Sequence, residues 1–192
     1  MIGKTGISRR RALKAGAGAT IAVSVGGCIK QLTARDAQDV GITLQTLSDE
    51  EAAVLAALGE TLVPGARDAG MVPYVDSGLT ADVADCLLMI RYLDVPGPFA
   101  PFYKSGLAAL QRFALRERGN RFDALGAYDQ ADIVRAISAS QPDGWSDDGA
   151  PPAPFFYFAL RGDAIDVTWG TMDGFETFDQ PYLAHIEPVT TW

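Results

Sequence analysis

Between Leu47 and Trp169 the large apolar residues recur every three or four positions and show no sustained alternation, so the chain can bury them only by packing helices together. Ser48 followed by Glu51 forms a capping box, in which the serine oxygen and the glutamate carboxylate satisfy free backbone N–H groups at a helix start. Val54, Leu55, Leu58 and Leu62 then line one face, and Pro64-Gly65 ends the helix. From Met71, with Pro73 in the first turn, Val72, Val75, Leu79, Val83, Leu87 and Ile90 continue the spacing. They predict one long helix, or two joined at Gly78-Leu79-Thr80, closed by Pro96-Gly97-Pro98. A third helix carries Tyr103, Leu107, Leu110 and Ala114 and stops at Gly119-Asn120. A fourth runs from about Asp129 to Ala139 with Ile133, Val134 and Ile137 inward. A fifth presents Phe155, Phe158, Ala159, Gly162, Ile165 and Trp169. The expected fold class is all-α, a compact bundle of about five helices.

The remaining segments break this pattern. Residues 29–46 are polar and without period and read as a linker into a helical domain over 47–192. The stretch 141–154 holds Pro142, Gly144, Gly149, Pro151, Pro152 and Pro154 among three aspartates and is expected to be an exposed loop. Beyond Gly170 the chain becomes an irregular, aromatic-rich C-terminal tail, because Gly174, Pro181 and Pro188 forbid a long helix. Its Phe175, Phe178, Tyr182 and Trp192 must be buried on the chain's own helices or against a partner, since aromatics concentrate at interface cores.

The first 28 residues differ in kind. They contain Lys4, Arg9, Arg10, Arg11 and Lys14, no acid, and then an uncharged Ala/Gly/Val run too short to cross a bilayer. Ser8-Arg9-Arg10 with Leu13 and Lys14 looks like a twin-arginine export signal, although Ala12 stands where a large apolar residue is usual. The expected location is therefore periplasmic, by way of the twin-arginine translocase. Val25-Gly26-Gly27-Cys28 resembles a lipoprotein cleavage box, so Cys28 is a candidate acylation site and lipid anchor. Two other fates stay open for it: a bridge to Cys86, which an oxidising compartment permits, or removal with the leader.

Charge narrows the partners. Taking five basic residues from the 16 leaves 11 against 24 acids, a net charge of −13 for the body. Nucleic acid is excluded, because its phosphates demand basic patches. A protein partner with a basic face is favoured.

Chemistry-bearing patterns are missing. One histidine, His185, and two distant cysteines give no zinc spacing, no Ser-His-Asp set and no c-type haem attachment. No Gly-rich dinucleotide turn follows a strand. Asp163 and Asp166 share a helix face, and Asp173, Glu176 and Asp179 cluster in the tail; in so acidic a chain both groups are expected to be solvated. Cys86 reads as a small core residue. No catalytic, cofactor-binding or metal-binding residue is assigned.

Four stretches together resemble the gluconate 2-dehydrogenase subunit 3 family: Leu47-Ser48-Asp49-Glu50-Glu51, Leu62-Val63-Pro64-Gly65, Gly70-Met71-Val72-Pro73-Tyr74-Val75-Asp76, and Trp169-Gly170-Thr171-Met172-Asp173-Gly174-Phe175 with Pro181-Tyr182. The resemblance implies a non-catalytic accessory subunit. Its partner would be a large flavoprotein of the glucose-methanol-choline (GMC) type that holds the FAD, often joined by a cytochrome c subunit. The implied role is to help that partner mature and carry it through the twin-arginine pore. The competing reading is a free-standing periplasmic lipoprotein that binds a small ligand or another protein. An independent hydrolase with His185 as its base is a third.

Overall fold

The computed structural model describes residues 20–25 and 28–179. Seven α-helices dominate the described residues: α1 (Ala34–Val40), α2 (Asp49–Leu62), α3 (Met71–Thr80), α4 (Ala100–Arg118), α5 (Ala127–Ala139), α6 (Ala153–Trp169) and α7 (Met172–Thr177). The all-α reading holds, and the five long helices are those expected. Ser48 and Glu51 make the reciprocal capping box that starts α2.

Two helices, α2 and α6, form the centre. Each packs against α3, α4 and α5, and against the other. Helix α6 is apolar around most of its circumference, as a helix surrounded by neighbours must be. Its inward face carries Phe156, Ala159, Leu160, Ala164 and Val167, one position round from the face that Phe155 and Phe158 suggested.

Three features depart from the sequence expectations. First, the 29–46 stretch is not irregular throughout. Cys28–Thr33 forms a strand, β2, antiparallel to β1 (Thr20–Val25), and helix α1 follows with Thr33 as its cap. The β-branched Thr, Ile and Val of 20–25 suit a strand, and Ile21, Val23 and Val25 alternate there with the smaller Thr20, Ala22 and Ser24.

Second, the helix begun at Met71 stops at Thr80, and residues 81–99 double back. Gly78 permits the reversal: a Cβ there would lie 2.6 Å from Leu88 Cγ, so a buried leucine sits where a side chain would have been. Val83 and Leu87, which continue the helical period, consequently face outward.

Third, the acidic Pro/Gly loop is a loop but is not wholly exposed. Trp145 plugs it into the core between Phe113 and Phe156, with ring centroids 6.4 and 6.0 Å away. Its indole N–H donates to the Pro151 carbonyl at 2.7 Å. Arg112 holds the far side through the Trp145 carbonyl and the Asp148 carboxylate. The tail, likewise, begins with a turn and a half of helix, α7, capped by Thr171.

Candidate functional site

The twin-arginine residues Ser8, Arg9, Arg10, Leu13 and Lys14 lie outside the described residues, as do Tyr182, His185 and Trp192. Cys28 opens β2, paired in register with Val25. Cys86 is a free thiol, fully buried. Burial pushes that thiol above its ordinary range, which leaves it inert toward oxidants and metals. Of the aromatic tail, Phe175 is half-buried, while Phe178 is 58% exposed and rests against Trp169 at a centroid distance of 4.9 Å.

The expectation of a solvated Asp163–Asp166 face fails at Asp163, although Asp166 is exposed. Asp163 is fully buried in the middle of α6. It accepts the Tyr103 hydroxyl from α4 at 2.6 Å and the Met89 backbone N–H at 2.7 Å. The second bond explains the placement: Met89 opens a 3-10 turn, Met89–Tyr92, whose first N–H groups have no partner in the turn itself. Tyr74 from α3 adds a hydroxyl to the Leu87 carbonyl at 3.1 Å, and the Arg91 guanidinium donates to the Cys86 carbonyl at 2.8 Å. Asp163, Tyr74 and Arg91 thus hold residues 86–92 in one conformation, with Tyr103 fixing the Asp163 carboxylate. Sequence reasoning missed this set because helical period alone gave no sign that an aspartate on an otherwise apolar helix pointed inward.

Chemically the cluster is closed. Burial raises the Asp163 carboxyl to about 7 against the pull of its two hydrogen bonds, and Asp166 adds to the rise. Burial, then the Asp163 charge, pushes the Tyr103 and Tyr74 phenols up as well, so both stay protonated as donors. A catalytic acid or base must come within reach of a substrate proton. Asp163 and Tyr103 touch only each other and the protein interior. Their role is positional.

A pH dependence follows. The unfolded chain releases the Asp163 proton near pH 3.8 and the folded chain near 7. Across that window the native state binds more protons, so stability from this group falls as pH rises and is fully lost above about 7. Asp163→Asn keeps an acceptor for Met89 and cannot ionise. Its unfolding free energy, measured in urea between those pH values, should decline less steeply than that of the wild type. Parallel slopes would dismiss the assignment.

Among the described residues no group of His, Cys, Asp or Glu is arranged to hold a metal ion, and no helix is long and apolar enough to cross a membrane. What the surface offers instead is apolar side chains left in water. Val83, Leu87 and Tyr92 stand out on the connection after α3, and Phe158 on α6. No curated protein and no solved structure matches the chain. A family model described as gluconate 2-dehydrogenase subunit 3 matches residues 49–169, from the first residue of α2 to the last of α6.

Proposed function

Because the chain belongs to the gluconate 2-dehydrogenase subunit 3 family, and so to the subunits of a dehydrogenase assembly, we propose that it is the non-catalytic small subunit of a periplasmic, flavin-dependent sugar or alcohol dehydrogenase. In this reading it assists maturation of an FAD-bearing large subunit of the GMC type and supplies the twin-arginine signal under which both cross the membrane. A cytochrome c subunit would complete the electron path.

The observation that carries the proposal is the family match itself, which spans every long helix and both central ones. Two further features support it. The dinucleotide-binding fold holds the FAD pyrophosphate at a glycine-rich turn between a strand and a helix. The sheet among the described residues is an antiparallel two-stranded hairpin, which is not that fold, and the proposal places the FAD in the partner. The leader, for its part, combines Arg9-Arg10 with Leu13 and Lys14, a signal that moves proteins already folded around their cofactors.

The test is export of the partner. With Arg9 and Arg10 replaced by Lys, the flavoprotein should remain in the cytoplasm with its FAD bound, and periplasmic dehydrogenase activity should disappear. A flavoprotein that still reaches the periplasm at the wild-type level would refute the escort role. A chain that is exported normally but purifies as a lone monomer would instead support a free-standing lipoprotein.

A further inference from the structure

The exposed apolar residues of the α3–α4 connection are held out, not merely left out. Their backbone is pinned at the Leu87 carbonyl by Tyr74, at the Met89 N–H by Asp163 and at the Cys86 carbonyl by Arg91. Between them Cys86, Leu88 and Ile90 are buried. Leu87 and Tyr92 nevertheless remain 43% and 63% exposed. A segment anchored this firmly cannot fold its outward side chains back onto the core, so their exposure is built in.

These residues continue onto a second element. In a 3-10 turn, residues three apart stand one above the other, so Met89 and Tyr92 share a face. Met89, half-buried, lies against α6 at Gly162, where an added Cβ would meet its side chain at 2.7 Å. One turn earlier on the same face of α6 is Phe158, 52% exposed. Gly162 therefore lets the turn settle onto the helix, and Phe158, Met89 and Tyr92 make one apolar strip across both, flanked by Leu87.

The rim of the strip is acidic. Asp82, Asp85 and Asp94 are exposed on the connection, and Asp166 is exposed one turn beyond Gly162. Arg161 and Arg91 are the bases nearby, and Arg91 is turned inward to the Cys86 carbonyl and lies 5.5 Å from the centre of the Tyr92 ring. An anionic rim around an aromatic centre selects a partner with an apolar recess ringed by Lys or Arg.

We propose that the strip Leu87–Met89–Tyr92–Phe158 is the surface on which this subunit docks its partner, a protein face of that complementary chemistry on the flavin-bearing large subunit. The identity of the partner rests on the function proposed above; the location does not. The strip lies within residues 49–169, the region shared with the family, whereas the tail aromatics Phe175, Phe178, Tyr182 and Trp192 all lie beyond it.

The experiment is co-purification of the exported complex from its native host, with bound FAD per small subunit read from the flavin absorbance. Tyr92→Glu combined with Phe158→Glu should lower affinity about 30-fold or more, the cost of removing central aromatic anchors, and the flavin should be lost on washing. Phe178→Glu should leave it bound. Should the double variant fold poorly by circular dichroism, Asp82→Lys with Asp85→Lys decides, since both side chains are exposed and expected to be silent in stability. Flavin retained at the wild-type ratio in a folded strip variant overturns the location while leaving the escort role standing. A wild-type chain that brings down no flavoprotein overturns both. A strip that proves to join two copies of this chain, seen as a dimer abolished by the same substitutions, also overturns the proposal.

Discussion

Replacing Asp76 by alanine is expected to lower the unfolding free energy by about 3–5 kcal/mol and to release the 42–48 connection from the helical core. Asp76 sits in α3, 2% exposed, and its carboxylate accepts three consecutive backbone N–H groups. Gln45 donates at 2.8 Å, Thr46 at 2.9 Å and Leu47 at 2.8 Å. Hydrogen bonds to a charged group are the strong ones, and the Leu47 N–H is buried, so losing its acceptor leaves it unsatisfied. The bonds also set the approach to α2, because Ser48, its cap, is the next residue. Asp76→Asn retains one acceptor oxygen and should lose roughly half as much. Urea midpoints read the stability, and limited proteolysis within 42–48 reads the release. A variant with an unchanged midpoint and no new cleavage would sink this account.

Trp145→Ala should cost about as much, roughly 3–5 kcal/mol, for a different reason. The indole is almost fully buried, and its removal leaves a cavity walled by Phe113 and Phe156 that a chain rich in proline and glycine cannot easily collapse to fill. It also strips the Pro151 carbonyl of its donor immediately before α6 begins. Trp145→Phe separates the two contributions: it keeps most of the ring volume and forfeits the N–H bond, so about 1–2 kcal/mol should go. Thermal unfolding of both variants reads the difference. Equal losses would mean that the hydrogen bond, not the packing, holds the loop.

How far the sequence reached differs by element. Helix α2 was legible residue by residue, because Ser48 and Glu51 cap it locally and Pro64-Gly65 end it locally. Helices α4 and α5 were legible from their apolar period, with Tyr103, Leu107, Leu110, Ile133 and Ile137 all buried as expected. Helix α6 was legible as a helix but not in its rotation. An apolar residue at nearly every position carries no directional signal, so Phe158 was placed inward and Asp163 outward when the structure has them the other way. The connection after α3 was misread because Val83 and Leu87 keep a helical period beyond the alternative joint at Gly78-Leu79-Thr80; the reversal comes from Leu88 settling over Gly78, a contact between residues ten apart.

The amino-acid sequence on its own determined the all-α class, the ends of most helices, the acidic body and the family, because periodicity, caps and charge are local or additive quantities. Only the tertiary structure decided which side of α6 faces in, that Asp163 braces the 86–92 segment, that Trp145 closes the acidic loop, and that an apolar strip is left in water. Each of these depends on where two segments far apart in the chain meet. A side chain's neighbours across that gap set its burial, its hydrogen bonds and its proton affinity, and no spacing along the chain encodes them.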